Sequence, residues 1–259
     1  MLDNQDITID ERADGVVWIT IDRARKHNAL AGSVLASLAQ AVAHAGSKPT
    51  VRLLLLRGAG ERFFAAGGDL VELSQVRDEC ATHAMADRSR TALDAVRQCP
   101  VPVLAYLNGD AIGGGAELAL ACDMRLQASH ARIGFIQGRL AISSAWGGGP
   151  DLCQLVGGAR AMRMMARCEM VDAAKALEWG LADSVVADGP DGQDVQAFLA
   201  PMLACPQQVL RGIKAQTAAW RSSQSYEQRR QVEREQVLAT WLHDDHWIAS
   251  DHFLSKSSR

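Results

Sequence analysis

The chain has 259 residues, a net charge of −3, 48% hydrophobic residues and 22% charged residues, which is typical of an ordinary soluble globular protein. This charge gives no reason to expect nucleic acid or an anionic membrane surface as a partner. The apolar runs are too short to span a bilayer, and the acidic start of the chain lacks a secretory-signal pattern, so we expect a cytoplasmic location and no membrane partner.

The cysteines and histidines are scattered along the chain. The six cysteines include no C-x-x-C pair, which favours reduced, mostly buried thiols over a disulfide framework. The seven histidines lack the H-E-x-x-H spacing of a metal site, so we expect no metal. Any chemistry is therefore expected from ordinary side chains and from the backbone.

The first third of the chain alternates strand patterns with helix patterns. Residues 7–9 and 16–21 predict a β-hairpin. Residues 33–45 have apolar side chains at helical spacing, with Ser33 as the predicted N-cap. Residues 51–57 form a continuous apolar run, which predicts a strand in a sheet that is covered on both faces.

The same order of elements recurs about fifty residues later. Residues 81–98 predict a helix that ends before Pro100, and residues 101–107 predict another apolar strand. Each of the two apolar strands is followed by a glycine-rich turn and then by a helix pattern. This recurrence predicts an α/β fold in which repeated ββα units stack as a spiral.

The last part of the chain differs from the repeats. Residues 187–194 are polar and glycine-rich, which predicts a surface loop. From about residue 195 the helix patterns continue to the end and include several tryptophans among many charges. We therefore predict a core over residues 1–194 and a helical C-terminal region over residues 195–259.

Two glycine-rich turns indicate the function. Residues 63–70 read Phe-Phe-Ala-Ala-Gly-Gly-Asp-Leu, and residues 113–123 read Gly-Gly-Gly-Ala-Glu-Leu-Ala-Leu-Ala-Cys-Asp. A strand that leads through such a turn into a helix leaves backbone N–H groups unpaired at the helix start, where the helix dipole favours an anion. Two turns aimed at one point predict an oxyanion hole, with Glu117 beside it as an acid/base group.

These two turns resemble the oxyanion-hole segments of the crotonase superfamily, also called the enoyl-CoA hydratase/isomerase family. Further similar segments lie in order at residues 26–30, 131–148 and 174–186, and the resemblance extends from about residue 8 to the end. It implies a crotonase-like spiral of ββα units and an acyl-CoA thioester as substrate. It implies no cofactor, since coenzyme A is part of the substrate. It also implies a C-terminal helical region that packs into homotrimers, often dimers of trimers.

The resemblance assigns roles to residues of both turns. Gly114 and Ala66 would donate N–H groups to the thioester oxygen, and Glu117 would move protons on the acyl chain. Asp69 is a more natural N-cap than a catalyst, and Asp123 is expected to be structural. The neighbouring residues expected to contact substrate are Ala65, Gly67, Gly68, Asp69 and Gly113.

One position departs from the family pattern. Hydratases of the family carry a second glutamate twenty residues after the first, where this chain has Gln137, and the preceding proline position is Ile136. An amide neither takes nor releases a proton near neutral pH, so the usual two-carboxylate hydration is in doubt. Decarboxylation of a malonyl-type CoA thioester needs no base, because loss of CO₂ forms the enolate directly. We favour decarboxylation on this ground.

Other interpretations remain open at this point. Glu117 alone could act as the single acid/base group of an isomerase or a hydratase. The chain could also bind acyl-CoA without catalysis, or keep the fold as an oligomeric scaffold. The stretch Ser-Ala-Trp-Gly-Gly that ends at Gly148 resembles the ethylmalonyl-CoA decarboxylase branch of the family.

Several further residues are candidates for substrate contact. Arg139 or Trp146 would line the acyl pocket, and His83 and Arg88 lie on the helix that could reach it. For coenzyme A, the resemblance points to Lys26 and the backbone around Asn28 and Ala29. Near the C-terminus, Phe253 and Lys256 match a family ending whose lysine faces nucleotide phosphates, often those of a neighbouring subunit.

Overall fold

The fold is built on two β-sheets. A computed structural model of the protein describes residues 6–257, so most of the acidic start lies outside the described residues. A six-stranded sheet has the order β1-β2-β3-β5-β7-β10, and a four-stranded sheet has the order β4-β6-β8-β9. The strands are Ile7–Glu11 (β1), Val16–Ile21 (β2), Leu53–Gly58 (β3), Phe63–Ala65 (β4), Val103–Leu107 (β5), Asp110–Ile112 (β6), Met124–Ala128 (β7), Arg132–Gly134 (β8), Met170–Asp172 (β9) and Ser184–Val186 (β10).

Successive strand pairs form the predicted spiral. The pairs β3/β4, β5/β6 and β7/β8 each contribute one strand to each sheet. The predicted hairpin is confirmed as the antiparallel pair β1–β2, while β2, β3, β5, β7 and β10 run parallel to one another. This repetition confirms the prediction of stacked ββα units, in which each unit buries a face on the next.

Helices cover the spiral and form its C-terminal part. The described helices are Gly32–Ser47 (α1), Leu70–Leu73 (α2), Glu79–Arg97 (α3), Gly114–Ala121 (α4), Gly148–Val156 (α5), Gly158–Ala166 (α6), Ala173–Glu178 (α7), Gln193–Ala204 (α8), Gln207–Arg221 (α9), Tyr226–Trp241 (α10) and Asp244–Ser257 (α11). The prediction of Ser33 as an N-cap is wrong. Helix α1 begins at Gly32 without a side-chain cap from its own flank, and the Glu72 carboxylate accepts the Gly32 N–H at 3.0 Å instead.

Helix α4 lies within the hydrophobic core. One face of the six-stranded sheet packs on α1, α3 and α4, and all eight residues of α4 are buried. The other face packs on α8 through the cluster that includes Trp18 and Leu199. Because α4 has no solvent face along its length, a charged side chain on it must be hydrogen-bonded by its surroundings.

The C-terminal helices are tied to the core by buried charge. Lys214 of α9 is 3% exposed and donates to both carboxylate oxygens of Asp123, which also accepts the Val103 N–H. Asp123 is therefore structural, as predicted. Beyond this contact, Trp220, Trp241 and Trp247 are 68%, 53% and 49% exposed. The predicted boundary at residue 194 stays a prediction.

Candidate active site

The two glycine-rich turns lie against each other. A Cβ atom on Gly115 would overlap the Ala65 carbonyl group, and one on Gly67 would lie 3.4 Å from the Gly114 nitrogen. Gly67 has φ of +97°, a value that favours glycine. The N-terminus of α4 thus packs on the end of β4. Ala65 is fully buried in this contact and does not line the site's surface.

Both turns present free backbone N–H groups at this junction. The N–H groups of Gly68 and Gly114 donate to no protein acceptor among residues 6–257. The prediction that Ala66 is a donor is wrong, because its N–H already donates to the His27 carbonyl at 3.1 Å. Gly68, which we predicted only as a neighbouring contact, presents a free N–H group in the first turn.

Gly113 shapes the start of helix α4. Its φ of +55° and ψ of −116° are accessible to glycine and strained for other residues. Its N–H donates to the Gly134 carbonyl at 2.9 Å, and its own carbonyl accepts the Glu117 N–H at 3.0 Å. Gly113 therefore has a structural function here, and it leaves Gly114 as the first residue of the helix with an unpaired N–H.

The Glu117 carboxylate is buried and accepts three hydrogen bonds. The residue is 2% exposed, and its Oε2 atom accepts the N–H groups of Trp146 and Gly148, both at 2.9 Å. Gln137 Nε2 donates to Glu117 Oε1 at 3.0 Å. A Cβ on Gly148 would lie 2.7 Å from Glu117 Cβ, so only glycine fits at this position.

The environment of Glu117 changes its acidity. Burial raises the pKa of Glu117 above its ordinary value of 4.5, and the hydrogen bonds from Gly148, Trp146 and Gln137 act in the opposite direction. Burial is the larger effect. The result is a carboxyl group that holds a proton more readily than an exposed glutamate and whose anion is still stabilised by three donors.

Gln137 occupies the place beside this carboxylate. It begins the short 3₁₀ turn Gln137–Leu140, and its Cδ atom lies 3.9 Å from where a Cβ on Gly113 would stand. The site therefore contains one carboxylate and one amide next to the free N–H of Gly114.

Two of the residues predicted for the acyl pocket have opposite outcomes. Trp146 is 6% exposed, and its ring lies against both Gly68 and Gly114. Arg139 does not reach this place, because its guanidinium donates to the Cys168 carbonyl at 3.2 Å on the exposed side of its turn. Trp146 and Arg88, which was predicted to be within reach of the pocket, both line a small cavity here. His83 instead lies on the exposed face of α3, 3.8 Å from Glu79.

An open groove lies beside the end of the first turn. It has a volume of about 450 Å³ and is lined by Lys26, Ala29, Asp69, Val71 and Glu72. Asp69 caps α2 by accepting the Val71 N–H at 3.2 Å, which confirms its predicted N-cap role. The exposed Lys26 gives the groove a cation suited to a phosphate.

Asn28 is a structural residue. It is 1% exposed, and its Nδ2 atom donates to the carbonyls of Ala59 and Phe63 at 3.0 and 2.7 Å. Its Oδ1 atom accepts the Arg23 N–H. The prediction that this part of the chain contacts coenzyme A therefore applies to its backbone and to Ala29, not to the Asn28 amide.

Phe253 and Lys256 lie on the last helix, α11. Phe253 is 72% exposed and Lys256 is exposed, and neither lines the groove that contains Lys26. Their contact with a nucleotide, including one held by a neighbouring subunit, stays a prediction.

A buried charge network that the sequence patterns did not predict lies behind Glu117. The Asp151 carboxylate, 7% exposed, accepts from Arg97 at 2.9 Å and pairs with Arg221 at 2.9 Å. Arg97 also donates to the Trp146 carbonyl at 3.2 Å. The network therefore holds the turn whose N–H groups bind Glu117. The only sequence signal for it was the run of glycines at residues 147–149, which indicates close contacts.

The sequence profile of the enoyl-CoA hydratase/isomerase family matches residues 11–257. The chain belongs to this family. Among solved structures, that of enoyl-CoA hydratase from Bacillus anthracis superimposes with a TM-score of 0.88 at 30% identity and covers 97% of each chain. The crotonase-like fold with a C-terminal helical region is thereby confirmed.

Curated members of the family include proteins with different activities. Mitochondrial methylglutaconyl-CoA hydratase of Mus musculus is 32% identical over 184 residues, which is 71% of this chain and 58% of that protein. Ethylmalonyl-CoA decarboxylase of Xenopus laevis is 26% identical over 237 residues, which is 91% of this chain and 79% of that protein. The chain thus matches just over half the length of the first relative and most of the length of the second.

No helix within residues 6–257 has both the length and the apolar character needed to cross a membrane. The cytoplasmic location stays a prediction.

Proposed function

We propose that this protein is an enzyme that acts on an acyl-CoA thioester through an enolate. The N–H groups of Gly68 and Gly114 hold the thioester oxygen, and Glu117 transfers a proton at the neighbouring carbon. Two free N–H groups beside a buried carboxylate support this proposal. Removal of one such donor typically costs about 3–4 kcal/mol of transition-state stabilisation.

Within this chemistry, we propose decarboxylation of a malonyl-type CoA thioester. The observation that carries it is the hydrogen bond from Gln137 Nε2 to Glu117 Oε1 at 3.0 Å. The bond between the α-carbon and the substrate carboxylate breaks, CO₂ leaves, and the electron pair moves into the thioester to form the enolate. Protonated Glu117 then gives its proton to the α-carbon and regains one from water.

The amide of Gln137 suits this reaction electrostatically. The substrate brings its own carboxylate to a site where a second glutamate would repel it by about 4 kcal/mol at a separation of 4 Å and an effective dielectric constant of 20. Gln137 adds no charge, and it stabilises the Glu117 anion once the proton has been delivered. The match to ethylmalonyl-CoA decarboxylase over 91% of this chain agrees with this proposal.

A second candidate function is hydration or isomerisation of an enoyl-CoA by Glu117 alone. The similarity to a methylglutaconyl-CoA hydratase favours it, and so does a carboxyl group whose pKa is raised toward neutral pH. A third candidate function is acyl-CoA binding without catalysis. In that case the affinity for thioesters would not depend on Glu117.

For the assembly, we propose a homotrimer or a dimer of trimers formed through the helical C-terminal region. Exposed aromatic side chains on α9, α10 and α11, such as Trp220 at 68% and Trp241 at 53%, support a contact surface there. Sedimentation velocity of the full chain tests this assembly, and a monomer at micromolar concentration would contradict it.

The reaction is tested by incubating the enzyme separately with ethylmalonyl-CoA and crotonyl-CoA and analysing the products by mass spectrometry. Decarboxylation predicts butyryl-CoA and CO₂ from the first thioester with little hydration of the second. Efficient hydration of crotonyl-CoA that is lost in Glu117→Gln, without any CO₂ release, would support the second candidate. Binding without turnover of either thioester would support the third.

A further inference from the structure

The ring of Trp146 closes the space beyond the free N–H groups of Gly68 and Gly114. Its Cη2 atom lies 2.6 Å from where a Cβ on Gly114 would stand and 3.6 Å from where one on Gly68 would stand. The indole is therefore in contact with both glycines whose N–H groups would hold the thioester oxygen. An acyl chain that extends from this oxygen must pass beside the ring.

Trp146 is fixed in this position by its backbone. Its N–H donates to Glu117, and its carbonyl accepts from Arg97 at 3.2 Å. A Cβ on the next residue, Gly147, would lie 2.8 Å from the Arg97 guanidinium. The side chain itself is 6% exposed. The backbone is held by these bonds, and rotation of the buried ring would require the groups packed around it to move.

The cavity beyond the ring is small. Its volume is about 20 Å³, and its lining combines apolar side chains, including Trp146, Leu73 and Leu35, with the polar side chains of Glu72, Arg88 and Ser89. Space for a single water molecule requires about 10–15 Å³ on this measure, so the cavity accepts roughly one group of that size. Leu73 closes the other side, since its Cδ1 atom lies 2.6 Å from where a Cβ on Gly68 would stand.

We infer that the site accepts only short acyl groups, of about four carbons including the thioester carbon, and that Trp146 sets this limit. The inference rests on the proposed function, since it assumes that the thioester oxygen lies at Gly68 and Gly114. From that oxygen, the α-carbon lies beside Glu117 and one or two further carbons fill the cavity. A longer chain meets the indole ring.

The test is isothermal titration of the full protein with saturated acetyl-, butyryl-, hexanoyl- and octanoyl-CoA, which do not undergo net turnover. For the wild type, we expect hexanoyl-CoA to bind at least about tenfold more weakly than butyryl-CoA, because a methylene that misfits against an apolar wall such as the indole ring costs about that much. For Trp146→Ala, we expect hexanoyl- and octanoyl-CoA to bind at least as tightly as butyryl-CoA.

Trp179 provides the matched control. It is 7% exposed, close to the 6% of Trp146, and it packs against Arg160, Arg163 and Lys175 instead of lining the cavity. Trp179→Ala should lower the unfolding temperature and keep the wild-type order of affinities. If Trp146→Ala does not fold, Trp146→Leu, which keeps an apolar side chain, replaces it in the same titration.

The possible outcomes separate the two proposals. Equal affinity of the wild type for butyryl- and octanoyl-CoA would overturn the chain-length limit alone. A folded Trp146 variant with the wild-type order of affinities would overturn the assignment of that limit to Trp146. If the folded wild type bound none of the four thioesters, the proposed function would fail, and the limit with it.

Discussion

The side-chain amide of Gln137 donates to the carboxylate of Glu117 across 3.0 Å. This pair places one proton-transferring group and one group that cannot transfer a proton beside the free N–H of Gly114. The choice between decarboxylation and hydration depends on it.

Replacing Gln137 by glutamate should redirect the reaction. The variant places two carboxyl groups in hydrogen-bond contact, which raises the pKa of one of them and repels a substrate carboxylate. We expect the kcat/KM for ethylmalonyl-CoA to fall by at least about tenfold, and hydration of crotonyl-CoA to rise above the wild-type level. Both rates are measured by mass spectrometry of the products. Faster decarboxylation by Gln137→Glu would contradict the proposed role of the amide.

The stability of the protein should depend on pH through Glu117. Its pKa is raised in the folded state by burial, so the folded protein binds this proton more tightly than the unfolded chain does. The corresponding stabilisation is complete below the unfolded pKa of 4.5 and is lost as the pH rises through the folded pKa. Glu117→Gln lacks this contribution.

The measurement is urea unfolding of the wild type and Glu117→Gln between pH 4 and pH 8. The free energy of unfolding of the wild type, relative to that of the variant, should decrease as the pH rises across this range. A difference that stays constant or increases with pH would show that the Glu117 pKa is not raised.

Asp151 should act as a positioning residue for Glu117. Asp151→Asn removes the charge that pairs with Arg97 and Arg221, and Arg97 holds the carbonyl of Trp146. Breaking a buried pair of this kind costs about 3–5 kcal/mol of stability. We also expect a lower kcat at nearly unchanged KM and a shifted pH–rate profile, because the donors to Glu117 lose their support.

Asp123→Asn is the control for this variant. It breaks another buried ion pair between the core and α9, with Lys214, and that pair has no hydrogen bond to the Glu117 turn. Its unfolding temperature should fall while its pH–rate profile stays that of the wild type. The same profile change in both variants would mean that Asp151 acts only through general stability.

Gly148 should tolerate no side chain. A Cβ there would lie 2.7 Å from the Cβ of Glu117 and would displace the N–H that binds Oε2. We expect Gly148→Ala to reduce kcat by about 10²-fold or more, since proton transfer depends on the position of the carboxyl group. Gly158→Ala is the matched control because nothing lies within 4 Å of its added Cβ, and its kcat should be unchanged. Equal kcat values for the two variants would contradict this account.

Local sequence patterns predicted the parts of the fold and site that depend on neighbouring residues. The apolar strands, the repeated ββα units and the start of helix α4 follow from runs of adjacent residues, and these patterns placed Gly114 and Glu117 together. The N-cap role of Asp69 is local in the same sense, since it accepts from Val71 two residues later.

The errors concern contacts between distant parts of the chain. Ala66 and Gly68 look equally suitable as donors in the sequence. Only the hydrogen bond from the Ala66 N–H to the His27 carbonyl excludes Ala66 as a donor to substrate. At the start of helix α1, a carboxylate from Glu72 accepts the Gly32 N–H in place of a local cap. Neither partner is adjacent in sequence to the group it binds, so no local pattern identifies it.

The central claim is tested most directly by the reaction of ethylmalonyl-CoA in D₂O, followed by mass spectrometry with the wild type and Glu117→Gln. The account predicts butyryl-CoA that carries one deuteron on the α-carbon, and a rate that falls about 10²- to 10⁴-fold in the variant. Unchanged ethylmalonyl-CoA beside rapid hydration of crotonyl-CoA would contradict it.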